Sequence, residues 1–426
     1  MYNTRSIETV DQALLPGGWR RPCYEHYSFY RIPGTIEHLL CGAPHAATLP
    51  VDTLPDESFD DVDRVVLLFI DGFAWRYVEM YADQYPVLAR FIEQGTMSKL
   101  TSMFPSTTTN HVTGIHTGLA PAQSGLFEWF QYHEAFDGII APLLFTRAGE
   151  HKRDGLLKTG IDPAVLFPGE TMHERLRAAG VESIYVTPAA FTPSPYNDQV
   201  CRGAVGAPYK TLKAGLDYLS ARIAAPTKGR EYLHFYFGDV DAASHHHGLH
   251  SPKMENAVRS ILDPLERWFA DLAPARKNRT LVMFTADHGM TETHADATVY
   301  LNKVWPEIGS MLSSTRHGLM IPAGSPRDFF LYVQPDALTH VADELTQRLA
   351  GVADVALTKD FIEAGHFGPG EPSAEFVKRV GDLVILPHAG ESVWWYERDR
   401  FANEHCALHG GLSIEEMDIP FGVLRV

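Results

Sequence analysis

Acidic and imidazole side chains follow three apolar segments of the sequence. They are Asp71 after VVLLFI (65–70), Asp239 and Asp241 at the end of EYLHFYFGDVD (231–241), and Asp287 with His288 after TLVMFTA (280–286). Each turn is ordinary when taken alone. Carboxylates gathered in one crevice repel one another and need cations, and carboxylate oxygen and imidazole nitrogen are both ligands of divalent metals. If the fold brings the three segment ends together, they form a metal site.

The histidine-rich stretch DVDAASHHHGLH (239–250) narrows the choice of ligands. Asp241 and His245 are four residues apart, so in a helical turn both side chains lie on one face and can share a metal. Asp239 is the alternative acid, although its spacing of six residues to His245 fits one helical face less well. The remaining histidines are interpreted as rim or solvent residues: His246, His247 and His250.

A run of hydroxyl residues, PSTTT (105–109), precedes the helix-like VTGIHTGL (112–119). The N–H groups at a helix start bind phosphate, and a hydroxyl located there acts as a nucleophile if a metal lowers its pKa. Simple helix capping is the alternative, and this segment alone favours capping.

Buried strands that alternate with helices must position these side chains. Continuous apolar runs that are too short for a helix indicate strands of a parallel sheet, and GDLVILP (381–387) is a fourth candidate. Helical periodicity appears in 83–95, 211–225 and 254–272. The alternation predicts an α/β fold with a doubly wound, mostly parallel sheet flanked by helices, in which ligands bind beyond the carboxyl ends of the strands.

Three regions are expected along the chain. Residues 1–60, rich in Pro, Gly and aromatics, are predicted to form an irregular N-terminal extension. Residues 61–300 and 381–426 are predicted to form the catalytic domain. Residues 301–380 contain no strand that ends in an acid, so we predict a smaller inserted cap region that is a candidate for part of the substrate pocket.

Composition limits the partners. The formal net charge of -17 repels polyanions, so neither a stable nucleic acid partner nor a membrane partner is expected. No apolar run near the start approaches the roughly 20 residues of a membrane span, and the first residues lack a secretory signal pattern, which predicts a cytoplasmic location. The four cysteines show no C-x-x-C pairing, which argues against a thiolate zinc site. An oligomer is compatible with the sequence, but no feature predicts one.

Five motifs occur in the order found in the alkaline phosphatase superfamily. They are IDGF (70–73), FPSTTTNHVTGIHTGLAP (104–121), the D-x-x-x-H-x-x-G of 241–248, TADHG (285–289) and HGG (409–411). The chain resembles the nucleotide pyrophosphatase/phosphodiesterase branch of that superfamily, which includes the type I phosphodiesterases. The matching blocks span about 62–130, 230–300 and 380–426.

The resemblance implies a binuclear metal site of three aspartates and three histidines. The implied ligands are Asp71, Asp287 and His288 for one metal, which also contacts the nucleophile, and Asp241, His245 and His409 for the other. The resemblance alone selects His409 over His405. Oxygen and imidazole ligands suit zinc, with manganese or iron as alternatives.

The family's Pro-x-x-Thr motif aligns with Pro105 to Thr108 and implies Thr108 as the nucleophile. Thr107 is the alternative, because STTT allows a slip of one residue. The implied reaction is attack of the Thr108 alkoxide on phosphorus, followed by hydrolysis of a phosphothreonine intermediate. Helix N–H groups and Asn110 are expected to bind a phosphoryl oxygen. No cysteine sits in the C-x-P-x-R setting of the sulfatase branch.

The substrate pocket departs from that of the nucleotide-cleaving members. Thr109 stands where they have a Phe after the nucleophile, and Trp129 stands where ungapped counting gives them an Asn. The resemblance therefore does not extend to a nucleotide preference. Phe73 and Trp129 are predicted to line an aromatic substrate pocket, together with the aromatics of FEWFQY (127–132). Core packing is the alternative interpretation of these aromatics.

The leading hypothesis is a metal-dependent phosphodiesterase that acts on a small-molecule phosphoester. A phosphomonoesterase or phosphonate hydrolase using the same site is the alternative. A non-catalytic metal-binding protein is a third hypothesis, but metal storage does not need the hydroxyl run at 106–109.

Overall fold

The computed structural model describes residues 1–42, 47–55, 62–150, 152–226, 229–272 and 279–426. The strands in this part of the chain, numbered in chain order, are β1 (Arg64–Ile70), β2 (Thr96–Thr101), β3 (Gln131–His133), β4 (Gly138–Ala141), β5 (Thr146–Arg147), β6 (Glu182–Pro188), β7 (Val205–Tyr209), β8 (Glu231–Phe237), β9 (Thr280–Thr285), β10 (Thr291–Glu292), β11 (Val299–Tyr300), β12 (Ser314–Thr315), β13 (Gly318–Leu319), β14 (Ala323–Ser325), β15 (Asp328–Leu331), β16 (Ala353–Leu357), β17 (Leu383–Pro387), β18 (Val393–Trp394), β19 (Ala407–Leu408) and β20 (Asp418–Arg425).

The α-helices of the same residues are also numbered in chain order. They are α1 (Thr4–Gln12), α2 (Ile32–Cys41), α3 (Trp75–Tyr81), α4 (Pro86–Gln94), α5 (Thr108–Thr117), α6 (Pro121–Ser124), α7 (Met172–Ala178), α8 (Pro195–Val200), α9 (Leu212–Ala224), α10 (Asp239–His247), α11 (Pro252–Asp271), α12 (Leu301–Val304), α13 (Leu338–Arg348), α14 (Thr358–Glu363), α15 (Ala374–Arg379) and α16 (Ile414–Met417). The three segments with helical periodicity correspond to α4, α9 and α11.

A seven-stranded sheet with the order β2-β20-β9-β1-β8-β6-β7 contains the three predicted acid-ended strands at its centre. The pairs that join β9, β1, β8, β6 and β7 are parallel, whereas β20 pairs antiparallel with both β2 and β9. Every residue of β1 is buried, as expected for a strand covered on both faces. The predicted α/β fold with a mostly parallel sheet flanked by helices is confirmed.

The N-terminal region differs from the predicted irregular extension. It forms α1 and α2, and Phe29, Ile32 and Ile36 are buried in the main core. Apolar residues recur every three or four positions from Ile32 to Leu40, but the Pro-Gly pair that begins α2 concealed this helical pattern. Residues 43–46 and 56–60 of the predicted extension lie outside the described residues.

A second, four-stranded sheet with the order β14-β15-β17-β16 lies mainly within the predicted cap region. All its pairs are antiparallel, and residues such as Phe330, Leu345 and Ile385 belong to its own core. The strand β17 comes from GDLVILP, which was predicted as a candidate strand of the parallel sheet, so that prediction was wrong. A short apolar run predicts a buried strand without indicating which sheet contains it. The predicted boundary at residue 380 therefore cuts through this second sheet.

Among the described residues, no helix combines the length and apolar character that a membrane span requires.

Candidate active site

The carboxyl ends of three neighbouring strands form the base of the site. Asp71 follows β1, Asp287 follows β9, and Asp241 lies in the first turn of α10, which follows β8. Because β9, β1 and β8 are adjacent and parallel, their carboxyl ends meet at one edge of the sheet. Gly72 makes the close approach possible: a Cβ there would lie 3.0 Å from the Asp241 Cα, and its φ of +72° suits glycine.

The first group of residues that could hold a metal comprises Asp71, Asp287 and His288. His288 Nε2 lies 3.6 Å from Asp71 Oδ1 and 3.3 Å from Asp287 Oδ2. All three side chains are buried. Tyr236 donates a hydrogen bond to the other oxygen of Asp71, and the Gly72 N–H donates to Asp287 Oδ1 at 3.0 Å. Each carboxylate is therefore anchored through one oxygen and presents the second to His288.

The second group comprises Asp241, His245 and His409. Asp241 Oδ1 lies 3.4 Å from His245 Nε2, as the four-residue spacing on a helix predicted, and 3.6 Å from His409 Nε2. The rings of His288 and His409 stack with centroids 3.6 Å apart, so the two groups adjoin. The structure thus brings together the six side chains that the resemblance selected.

Backbone hydrogen bonds orient the three imidazoles. His245 Nδ1 lies 2.8 Å from the Ala407 carbonyl oxygen, His409 Nδ1 lies 2.8 Å from that of Ser106, and His288 Nδ1 lies 3.0 Å from that of Gly289. A carbonyl oxygen only accepts, so each Nδ1 must carry the proton. Each Nε2 is therefore an acceptor directed into the site, which is the tautomer that a metal-ligating histidine needs.

The electrostatics of the site fit bound cations. Within the described part of the chain, Asp71 Oδ1, Asp241 Oδ1 and Asp287 Oδ2 are buried without a hydrogen-bond donor, and each faces an Nε2 acceptor instead. Burial raises the pKa of Asp241 and of Asp287 to about 7; burial, followed by repulsion from Asp287 and Asp241, raises the pKa of Asp71 well above its usual range. A divalent cation between the facing oxygen and nitrogen lone pairs would convert these repulsive contacts into ligand bonds. The donor set, oxygen and imidazole without thiolate, suits zinc, manganese or iron.

The hydroxyl run lies at the start of α5, next to the first group. Thr108 is the first residue of the helix and is partly exposed, with its Oγ1 3.3 Å from His288 Nε2. Thr107 is buried at the N-cap position, and its hydroxyl donates to the Phe127 carbonyl oxygen at 3.0 Å. Of the two candidates, only Thr108 presents its hydroxyl to the site.

Two of the predicted substrate residues lie away from the site surface. Phe73 is fully buried and packs against Phe284 with ring centroids 5.1 Å apart, so it is a core residue. Its predicted role was wrong because the chain turns into the core directly after Gly72. Asn110 is also buried, and its Nδ2 donates to the Pro105 carbonyl oxygen at 2.8 Å, which stabilises the turn before α5.

The alternative ligands are not brought into the site. Asp239 is exposed and borders a different surface depression. His246, His247 and His250 are also exposed, as predicted. His405 lies beside His245, with ring centroids 4.6 Å apart, but it belongs to neither group.

A cavity of about 250 Å³ opens beside Thr108, Asp71 and Asp241. Trp129, 38% exposed, lines it as predicted. The other lining aromatics are Tyr185, Phe191, Tyr196 and Tyr236. None of the lining residues in the described part of the chain comes from 301–380, so the cap region does not supply the pocket wall. Much of the wall comes instead from β6 and the segment that follows it.

Comparison with known proteins identifies the family. The family profile described as type I phosphodiesterase/nucleotide pyrophosphatase matches residues 65–411. The chain belongs to this family. The matched range includes the six predicted ligands and Thr108.

The relatives of this type I phosphodiesterase/nucleotide pyrophosphatase chain are considerably longer. Ectonucleotide pyrophosphatase/phosphodiesterase family member 3 of Rattus norvegicus is 26% identical over 291 residues, and that of Mus musculus is 24% identical over 286 residues. The alignments cover 65% and 64% of this chain but 30% of each relative. The chain therefore matches less than a third of the length of these relatives.

Solved structures show the same fold. Murine ectonucleotide pyrophosphatase/phosphodiesterase 5 superposes with a TM-score of 0.63 at 17% identity, covering 84% of this chain and 87% of that chain. The human protein superposes with a TM-score of 0.61 at 16% identity, with the same coverage of both chains. An inactive variant of the murine protein in complex with AMP also gives 0.61.

In this type I phosphodiesterase/nucleotide pyrophosphatase chain, Tyr236 and the cavity aromatics of β6 and of the segment after it were not predicted from the sequence. Tyr236 is the second-last residue of β8, and its contact with Asp71 depends on the strand order, which no local pattern reveals. The strand β6 was not predicted, so the sequence did not indicate that Tyr185, Phe191 and Tyr196 form a wall of the cavity.

Proposed function

We propose that the protein hydrolyses phosphate diesters of small molecules by a two-metal mechanism with Thr108 as the nucleophile. The observation that carries this proposal is the position of the Thr108 hydroxyl at a helix start, 3.3 Å from an imidazole of a group whose carboxylates have unpartnered oxygens. Family membership supports the diesterase assignment. The reaction class therefore follows from both the site and the family.

The two groups would each hold one divalent cation. The ligands would be Asp71, Asp287, His288 and the Thr108 oxygen for one ion, and Asp241, His245 and His409 for the other. We propose zinc, with manganese or iron as alternatives, because the nitrogen and oxygen donors include no thiolate. When bound, the cations would lower the pKa of the Thr108 hydroxyl and neutralise the phosphoryl oxygens.

The chain's own residues would carry out the bond changes. After losing its proton, the Thr108 oxygen would bond to phosphorus as the bond from phosphorus to the leaving oxygen breaks, giving a phosphothreonine. The N–H groups at the start of α5 would bind a phosphoryl oxygen. Water would then attack phosphorus, the Thr108 oxygen would leave and regain a proton, and two in-line displacements would give net retention. Tyr236 would hold Asp71 in place by donating to the oxygen that does not face the site.

The cavity beside Thr108 would hold the organic group of the ester. Its aromatic lining, including Trp129, suits a ring-bearing substituent. Because an inactive variant of the murine neighbour was solved with AMP, nucleotide esters are one class to include in a substrate screen. A cytoplasmic location stays a prediction, which fractionation of cells that contain the protein would check.

Hydrolysis assays with metal-reconstituted protein test the proposal. The substrates are five nitrophenyl compounds: a simple phosphodiester, the nitrophenyl ester of a nucleoside monophosphate, a phosphomonoester, a phosphonate ester and a sulfate ester. We expect the diesters to be cleaved fastest and Thr108→Ala to lose the activity. Fastest cleavage of the monoester or the phosphonate would support the alternative hydrolase. Undiminished activity in Thr108→Ala would assign the nucleophile to another residue, and no cleavage of any ester would favour the non-catalytic metal-binding protein.

A further inference from the structure

Two elements run along the cavity from the reaction centre to its inner end. On α5, Thr108, Val112 and His116 line the cavity with a spacing of four residues, which places them on one helical face. The rise of the helix sets His116 roughly 12 Å along its axis from Thr108. On β8, Tyr236 and His234 line the cavity and lie on the same face of the strand, roughly 7 Å apart.

The two elements bring two histidines together at the inner end of the cavity. The ring centroids of His116 and His234 are 4.6 Å apart. His116 is 3% exposed and His234 is 2% exposed, and both line the cavity. We call the part of the cavity beside these two histidines its inner end; it is polar, although most of the cavity wall is apolar or aromatic.

His234 has no protein partner for its polar atoms. Within the described residues, neither its Nδ1 nor its Nε2 makes a hydrogen bond. A buried donor or acceptor left unsatisfied is destabilising, so such groups in native proteins normally have a partner. Because His234 lines the cavity, that partner must come from the cavity contents.

His116 is held by a hydrogen-bonded chain that leaves its second nitrogen for the cavity. His116 Nδ1 lies 2.9 Å from His173 Nε2, and His173 Nδ1 lies 3.1 Å from Ser183 Oγ. The serine hydroxyl can donate or accept, so the chain can run in either direction and His116 Nε2 can be an acceptor or a donor. Cys201 lies close enough to these two histidines to complete a metal site, but burial raises the pKa of its thiol and favours the protonated form.

The surroundings favour a neutral polar group at the inner end. Burial lowers the pKa of His116 to about 3 and that of His234 well below its usual range, so both rings are uncharged. Arg153, the cation that lines the cavity, lies over the ring of Phe191, which in turn packs against Tyr236 next to Asp71. The positive charge of Arg153 is therefore associated with the end of the cavity near the reaction centre. A charged substrate group beside the two histidines would lose its hydration without gaining a counter-charge.

We propose that His234, assisted by His116, is a specificity-determining residue that selects esters whose organic group has an apolar ring and a neutral hydrogen-bonding group, such as a hydroxyl, at its far end. This inference rests on the proposed function, because it requires the scissile ester to lie at Thr108. A site built to hydrogen-bond a hydroxyl rejects the analogue that lacks it, because the polar groups of the site are then left unpaired.

A matched pair of substrates tests the inference. Both are nitrophenyl phosphodiesters; the second substituent is 2-(4-hydroxyphenyl)ethyl in one and 2-(4-methylphenyl)ethyl in the other. We expect kcat/KM of the wild-type protein to favour the hydroxyl ester by about 10–100-fold, and His234→Leu to reduce this ratio to about one. Tyr232→Phe is the control: Tyr232 lies two residues deeper on the same strand, outside the cavity lining, and should keep the wild-type ratio.

A binding measurement separates this inference from the proposed function. Calorimetry with Thr108→Ala protein compares the affinity of the same two esters without turnover. Preferential binding of the hydroxyl ester without hydrolysis by the wild-type protein would overturn the proposed function but support His234 as the selecting residue. Equal binding of both esters, or binding of neither, would overturn the inference. If His234→Leu fails to fold, as judged by its melting transition, His116→Leu is expected to lower the same ratio, and an unchanged ratio would contradict the proposal.

Discussion

The Thr108 hydroxyl oxygen lies 3.3 Å from His288 Nε2, and this contact distinguishes Thr108 from the threonine before it. Thr107 directs its hydroxyl to the Phe127 carbonyl oxygen at 3.0 Å and is buried. One threonine therefore faces the reaction centre, and the other attaches the start of α5 to the segment that carries Trp129. The two residues should respond differently to substitution.

We predict that Thr108→Ala lowers kcat by at least about 1,000-fold, because the substitution removes the oxygen that is proposed to form the covalent bond to phosphorus. Thr107→Val removes one buried hydrogen bond and should cost about 1 kcal/mol of stability while keeping most of the activity. Steady-state hydrolysis and urea unfolding of the two variants check this. If Thr107→Val lost turnover while Thr108→Ala retained it, Thr107 would be the nucleophile instead of Thr108.

His409 is predicted to hold one of the two cations, whereas His405 is not. His409 Nδ1 is fixed by the Ser106 carbonyl oxygen, which directs Nε2 to Asp241. We expect His409→Ala to lower the metal content to about one equivalent per chain, because that ion would lose one of its ligands. His405→Ala is the matched control and should retain both equivalents in elemental analysis after dialysis. If His405→Ala lost metal and His409→Ala retained both equivalents, His405 would be the ligand and His409 would not.

Local sequence patterns were sufficient for the parts of the site that depend on one element at a time. An apolar run followed by an acid predicted the strand ends that carry Asp71 and Asp287, and the helical spacing predicted the pairing of Asp241 with His245. These features depend on side-chain periodicity and on the edge of the sheet where parallel strands end. They need no knowledge of strand order.

Features that depend on how distant elements pack were not accessible from such patterns. His409 comes from a loop more than 100 residues after β9, and only the family resemblance selected it over His405. Phe73 follows Asp71 directly, yet the turn at Gly72 directs it into the core. The histidines at the inner end of the cavity meet only because α5 packs alongside β8, which no local spacing indicates.

Removal of the cations should destabilise the protein. Three buried carboxylate oxygens, of Asp71, Asp241 and Asp287, would then face imidazole nitrogens without a positive charge between them. Ligands that bind only the folded state stabilise it by mass action, so we expect a chelator to lower the melting temperature by about 3–10 °C. Differential scanning fluorimetry with zinc and with chelator measures the shift.

The chelator effect has an internal control. Asp71→Asn removes one of the repelling charges together with a ligand, so its chelator-induced shift should be smaller than that of the wild-type protein. Asp239→Asn changes an exposed acid outside the site and should leave the shift unchanged. Identical melting of the wild-type protein with and without chelator would contradict a metal site at these residues.

A buried ion pair connects the second sheet to the loop that carries His409. Arg327, just before β15, donates to Glu416 at 3.0 Å and 2.8 Å, and both side chains are fully buried. Glu416 also accepts from the Gly411 N–H at 3.0 Å, two residues after His409. The pair therefore holds the HGG loop against the turn between β14 and β15 of the second sheet.

We predict that Glu416→Gln lowers the free energy of unfolding by about 3–5 kcal/mol, because it leaves the buried Arg327 charge without its counter-charge. The same substitution weakens the anchor of the HGG loop, so bound metal should also decrease. Lys213→Ala is the control: Lys213 forms an exposed pair with Asp217, its side chain is 83% exposed, and its loss should leave stability unchanged. Urea unfolding of both variants measures the difference, and equal stability of Glu416→Gln and the wild-type protein would show that the pair does not secure the loop.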